Sequence, residues 1–381
     1  MEPIVIVGSG LAGYGLAREL RKLDRELPLV IVTADDGSAY SKPNLSNALT
    51  AGRTPQQLVN ASAEAMARQL GAAMRTHTRV DAIDVPGRRL LLAGGELHFS
   101  RLVLALGADP VRLPLGGAAA HEVLSVNDLA DYARLREKLQ GARRVAILGA
   151  GLIGCEFAND FAASGFAVEV IDIAPQPLGR RLPVEAGLAM REALARAGVR
   201  WYLGRTVEAL EYAAAGLEIR FAGGARIGAD VVLSAVGLRP RTRLAKSAGL
   251  AVDRGIVVDR ALESSSARVF ALGDCAEVEG HVLPFVTPIM HAARALASTL
   301  AGRPQRVSYP AMPITVKTPA LPTVVCPPAP GRGGAWTVAG GAETLAARFL
   351  DVDGAMLGFA LTGGECGKRQ AWTRELPPLL A

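Results

Sequence analysis

The chain has 381 residues, enough for roughly two or three domains and a sizeable buried core. Half of the residues are apolar and only one fifth are charged, which excludes a disordered or fibrous chain. Forty-two basic against thirty-six acidic side chains leave a net charge of +6 without any polybasic block. That pattern argues against nucleic acid as a partner and leaves an acidic protein or an anionic ligand open.

Taken in chain order, the apolar run Ile4 to Val7 ends in glycines. Leu11, Ala12, Leu16, Ala17 and Leu20 follow at helical spacing, and then a second apolar run spans Leu29 to Val32. This predicts a βαβ unit. Leu102 to Ala105 reads as a further strand, and Ser125 and Asp128, in capping-box spacing, start a helix over 129–139. The first pattern then recurs 141 residues on, from Ile4 to Val145: an apolar run over 145–148, glycines, a helix through Glu156, Phe157 and Phe161, and a strand over 168–171. A duplicated fold element is expected. Beyond it come Gly237, an apolar run Gly255 to Asp259, a strand from Val269 ending in Gly273-Asp274, and a helix after Pro288. From about Arg306 the chain is rich in proline, with short β-like runs at 314–316, 321–325, 336–338 and 356–361, and is read as a separate α+β domain.

Cys155, Cys275, Cys326 and Cys366 lie far apart, so neither a zinc ribbon nor a local redox dithiol is encoded. They read as reduced thiols in a cytoplasmic protein. The five histidines lack metal-ligand spacing, and no metal is expected. The longest apolar stretches are shorter than 18 residues and carry glycines, and Met1-Glu2-Pro3 has no basic n-region, so neither a membrane span nor a secretion signal is expected.

The chemistry lies in two glycine runs, Gly8-Ser9-Gly10-Leu11-Ala12-Gly13 and Gly149-Ala150-Gly151-Leu152-Ile153-Gly154. In such a run the first glycine permits a tight turn, and the second lets a pyrophosphate approach the backbone. The third packs helix on strand, while the helix N-terminus offers free N–H groups. A carboxylate follows each second strand and can accept from ribose hydroxyls: Asp35, with Asp36 as its rival, and Asp172. Two dinucleotide sites in one chain imply electron transfer from a nicotinamide to a flavin.

The order of these motifs, with Leu102 to Ala108 between them and Ala235-Val236-Gly237 and Leu272-Gly273-Asp274 after them, resembles the FAD-dependent pyridine nucleotide oxidoreductases over residues 1 to about 305. Tyr40-Ser41-Lys42-Pro43-Asn44-Leu45-Ser46 looks like the Y-x-[KR]-P-x-L-S segment of the dithiol-free branch, which reduces rubredoxins and ferredoxins. Residues 151–160, 237–242 and 312–319 are similar to the members that reduce rubredoxin in alkane-oxidising bacteria, which extends the resemblance to the tail.

The resemblance implies an α/β fold with two Rossmann-like dinucleotide-binding domains, for FAD and NAD, plus a small C-terminal α+β domain. The FAD domain would take residues 1–112 and 245–305, the NAD domain 113–244, and the α+β domain 306–381. It implies FAD and NADH as cofactors, with hydride passed to flavin N5 and single electrons passed on to rubredoxin, an acidic iron protein, in a chain serving alkane hydroxylation. A ferredoxin or flavorubredoxin is the alternative acceptor, and a flavoprotein whose NADH-dependent state controls a partner is the non-enzymatic reading.

For FAD the resemblance implies Gly8, Ser9, Gly10, Leu11, Ala12 and Gly13, then Thr33, Ala34 and Asp35, Lys42 and Pro43, Arg79 and Val80, Ala105, Gly273 and Asp274, Val286 and Lys317. For NAD it implies Gly149, Gly151, Leu152, Ile153, Gly154, Glu156, Asp172 and Gly237. No covalent catalyst is expected, with Glu156 and Lys317 as supporting groups. Asp172 favours NADH over NADPH, against which Arg180 and Arg181 offer a phosphate clamp. Two departures stand out: residues 41–50 hold no cysteine, and Asn47 stands where some ferredoxin reductases carry lysine.

Overall fold

Ile4–Val7 is buried at every position, because it lies at the centre of a five-stranded parallel sheet. The strand order is Val269–Ala271, Arg101–Leu104, Ile4–Val7, Leu29–Val32 and Ala73–Arg75 in the computed structural model, which describes residues 2–381. A parallel sheet covered on both faces needs unbroken apolar strands, and these runs supply them. Helix Leu11–Leu23 packs along helix Val286–Leu300, and both share one core with the sheet. Ile83, Leu90, Leu92 and Leu97, from an antiparallel three-stranded sheet over 80–98, complete that core.

The repeat is real in three dimensions. A four-stranded parallel sheet runs Val199–Leu203, Ala167–Asp172, Arg144–Leu148, Val231–Ser234, and it too carries an antiparallel three-stranded companion, over 207–229. The two units are tied by Ala108–Pro110 pairing antiparallel with Leu238–Pro240, so that Asp109 faces Arg239. The tail is a five-stranded antiparallel sheet in the order Ile314–Val316, Thr323–Cys326, Met356–Thr362, Leu345–Leu350, Ala335–Gly340. Helix Arg369–Glu375 closes it by setting Trp372 edge-on to Phe359.

Several boundaries differ from expectation. Helix Leu129–Lys138 is capped by Asp128 alone, which accepts from the Asp131 N–H at 2.8 Å; Ser125 has no part in the cap. The helix expected after Pro288 begins at Val286, with Pro288 in its first turn, where a missing N–H costs nothing. Lys317, which its proline-flanked apolar surroundings set within a strand, instead follows Ile314–Val316. Strand Leu345–Leu350 escaped notice because Ala346, Ala347 and Arg348 mask its alternation, which is nonetheless visible in the burial of Leu345, Ala347 and Phe349. No helix among the described residues is long and apolar enough to cross a membrane.

Candidate active site

Both glycine runs form the same turn. Gly8 and Gly149 have φ of +116° and +106°, a conformation closed to ordinary side chains, and a Cβ on either would press into the carbonyl of Ala105 or of Ala235. A Cβ on Gly13 or Gly154 would overlap the carbonyl of Gly8 or of Gly149. Gly10 and Gly151 are different. Each caps its helix without a side-chain hydrogen bond, and a Cβ there would meet nothing within 4 Å. The open space beside a free helix N-terminus is what a pyrophosphate needs.

Both turns open into one cleft of about 2790 Å³, well beyond the roughly 300–1,000 Å³ of a single small-molecule pocket. Its wall includes Gly8 to Ala12, Thr33 to Asp35, Lys42, Pro43, Arg79, Val80, Ala105, Asp274, Val286 and Lys317 from the expected FAD set. From the NAD set it includes Gly149, Gly151, Leu152, Ile153, Glu156, Asp172 and Gly237. Gly13, Gly154 and Gly273 do not reach it; they act from behind the wall, Gly273 because a Cβ would lie 2.7 Å from that of Ala12.

Asp35 and Asp36 differ in position. Asp35 lines the cleft and accepts from Ser9 Oγ, Thr33 Oγ1 and the Gly37 N–H at 3.1, 2.6 and 3.0 Å. Asp36 does not line the cleft and accepts from the Ser38 N–H at 2.9 Å. Asp172 accepts from the N–H groups of Ala150 and Ala174, which ties it to the second glycine turn. Arg180 and Arg181 both line the cleft, but Arg181 lies over the Phe285 ring, 5.1 Å from its centroid.

Two charged groups, Lys42 and Asp274, line the cleft on the first unit's side. Burial pushes the Lys42 ammonium below its ordinary range, and Asp274 opposes that shift. Burial pushes the Asp274 carboxyl up, against the pull of Lys42 and Arg241. Lys42 Nζ donates to Asn127 Oδ1 at 2.6 Å, and Asn127 Nδ2 donates to the Ala108 carbonyl at 2.9 Å. Sequence reasoning passed over Asn127, since its partners lie 85 and 19 residues away and no local pattern marks it.

Glu156 joins three parts of the chain. It is buried, and its carboxylate accepts from Ser46 Oγ at 2.5 Å, from the Lys317 N–H at 3.0 Å and from the Lys317 ammonium. Lys317 also donates to the Pro43 carbonyl at 2.6 Å and to Ser46 Oγ at 2.9 Å. One turn further along the helix, Asp160 accepts from the N–H groups of Leu49 and Thr50 at 3.0 and 2.9 Å. A buried carboxylate without such donors would cost several kcal/mol, on the order of 3–5. Here the first unit and the tail supply them. Cys326 reaches the wall of the cleft, but Cys155, Cys275 and Cys326 are buried, Cys366 is half-buried, and none is in a disulfide.

The sequence profile of the pyridine nucleotide-disulphide oxidoreductases matches residues 2–299. The chain belongs to this family. A second profile, the rubredoxin binding C-terminal domain, matches residues 306–376. The chain is 49% identical to a rubredoxin-NAD(+) reductase of Alcanivorax borkumensis, over 100% of both chains. It is 44% identical to the protein of that name from Acinetobacter baylyi, over 99% of this chain and 98% of that one. Its fold is similar to a ferredoxin reductase from Rhodopseudomonas palustris, with a TM-score of 0.89 at 25% identity, covering 99% of this chain and 96% of the other. FAD and NADH are its cofactors.

Proposed function

We propose that this flavoprotein is an NADH:rubredoxin oxidoreductase working in the cytoplasm, within an electron-transfer chain for alkane hydroxylation. The observation that carries the reading is Lys317: it stands in the stretch matched by the rubredoxin-binding profile, yet its side chain enters the dinucleotide cleft beside Glu156. The partner-binding tail and the redox site therefore share a wall.

In this reading FAD lies along Gly8 to Ala12, with Asp35 on its adenosine ribose and Asp274 and Lys42 beside its ribityl and ring portions. The chain's FAD unit comprises residues 1–112 and 245–305, its NAD unit 113–244 and its acceptor-docking unit 306–381. NADH lies along Gly149 to Ile153, and Asp172 accepts from the 2'-hydroxyl of its adenosine ribose. When bound, the flavin would supply the chemistry that takes up a hydride and releases it as two single electrons and a proton. The protein's part is to align the two rings, keep water from them and set the charge about them. With no dithiol near residues 41–50, electrons leave the flavin for the acceptor directly. An excess of basic groups suits an acidic iron protein such as rubredoxin.

The test is anaerobic: NADH and catalytic protein are mixed with rubredoxin, and the loss of rubredoxin's visible absorbance is followed. Rapid bleaching that needs all three components supports the reading. A ferredoxin or flavorubredoxin reduced much faster than rubredoxin would replace it with the alternative acceptor.

A further inference from the structure

We infer that Asn47 is a positioning residue for the redox site, acting through Lys317; this rests on the reading that FAD occupies the cleft. Asn47 Nδ2 donates to the Lys317 carbonyl at 3.0 Å, across 270 residues of sequence. The backbone of Lys317 is thus held on both sides of its Cα: its N–H by Glu156 at 3.0 Å, its carbonyl by Asn47. Between these tethers its side chain turns back to Pro43, Ser46 and Glu156.

Asn47 does this from outside the cleft. It lines a second, shallower cavity of about 440 Å³ with Asn44, Arg53 and Thr318, whereas Lys317 lines both that cavity and the cleft. Lys317 is therefore the partition, and Asn47 braces it from the side the cofactor does not occupy. The amide oxygen of Asn47 is 3.3 Å from Ser46 Oγ, longer than the 2.5 Å from Ser46 Oγ to Glu156, so Ser46 is engaged by Glu156 and the amide N–H is the working group of Asn47. Asn47 ends the short 3-10 helix Lys42–Asn47, which begins with Lys42 and Pro43, so the brace links the tail to a segment that lines the first unit's part of the cleft.

A lysine ammonium beside a flavin stabilises the negative charge gained on reduction, so charge placement sets the potential. Releasing one tether lets the ammonium move out toward the second cavity and leaves the Glu156 carboxylate less well compensated. Both changes lower the potential.

The experiment measures the midpoint potential of bound flavin in the holoenzyme for wild type, Asn47→Ala, Lys317→Met and the double variant, with flavin content and melting temperature as controls. Asn47→Ala is expected to shift the potential downward, by less than Lys317→Met, and to produce no further shift in the Lys317→Met background. Asn47→Leu, which keeps the volume and removes the donor, should match Asn47→Ala and decides the case if the alanine variant does not fold. A wild-type potential in the Ala or Leu variant, or shifts that add in the double variant, overturns the assignment to Asn47. Protein that never binds FAD, wild type included, contradicts the functional reading instead.

Discussion

Glu156 and Lys317 are 161 residues apart in sequence, and the carboxylate of one accepts hydrogen bonds from both the backbone N–H and the ammonium of the other. Glu156 is almost fully enclosed while the Lys317 side chain is about one third exposed, 7% against 34%. The asymmetry sets the cost of breaking the pair. Removing the cation leaves a buried charge; removing the carboxylate leaves an ammonium that can still reach water.

Lys317→Met should therefore destabilise the protein more than Glu156→Gln. The expected costs are about 1.5–3 kcal/mol and about 1 kcal/mol, the range for hydrogen bonds to charged groups against that for neutral ones. Chemical denaturation of the two variants checks it. Equal costs would mean that Ser46 and the Lys317 N–H already compensate the carboxylate.

The glycines separate into structural and ligand-facing sets. Gly13→Ala and Gly154→Ala force a Cβ onto a backbone carbonyl and should cost at least about 1–3 kcal/mol of stability whether or not a ligand is present. Gly10→Ala and Gly151→Ala meet open space. Gly10→Ala should fold but bind FAD poorly; Gly151→Ala should stay yellow and show a raised KM for NADH. Thermal melting with and without FAD measures the first, and steady-state kinetics with NADH measure the second. A Gly151→Ala variant with wild-type KM would remove the pyrophosphate from the second turn.

Much of this was legible in the sequence for a physical reason. The glycine turns and their strands are local: their geometry follows from residues within about a dozen positions, and the repeat in two units makes the pattern stand out. The buried apolar strands were visible likewise. What could not be read was pairing across distance. Neither the Asn127 contact to Lys42 nor the brace of Asn47 on Lys317 has a local signature. Gly13 packs helix on strand as its place in the run implies, whereas Gly273, which the resemblance sets against FAD, lies behind the cleft wall beside Ala12. Nothing local to Gly273-Asp274 tells which of the two faces the cleft.

Asp172 should discriminate between the nicotinamide nucleotides. A 2'-phosphate would meet its carboxylate with like-charge repulsion and a lost hydrogen bond, so NADH should be preferred by about 10-fold to 100-fold in kcat/KM. Asp172→Ala should narrow that ratio and also raise KM for NADH, since the Ala150 and Ala174 N–H groups lose their acceptor. Steady-state rates with both nucleotides suffice. An unchanged ratio would assign the choice to Arg180 and Arg181.

The thiols should be inert. Burial pushes Cys275 and Cys326 up to about 11 and Cys155 higher still, so they stay protonated at neutral pH. Because their folded values lie above the unfolded value of about 8.5, the stability they confer is complete below that pH and is lost as pH rises toward about 11. Native protein should resist alkylation near pH 7, apart from slow reaction at half-buried Cys366, and replacing all four should leave acceptor reduction within several-fold of wild type. A hundredfold loss with flavin retained would show that a thiol carries electrons.

The most direct test of the central claim is stopped-flow mixing of NADH-reduced protein with oxidised rubredoxin in the absence of oxygen, following flavin and rubredoxin absorbance together. The account predicts that flavin reoxidation and rubredoxin bleaching share one rate, with two rubredoxins reduced per NADH, and that the rate falls as salt rises because an acidic partner docks on a basic protein. Flavin that stays reduced in the presence of excess rubredoxin would contradict it.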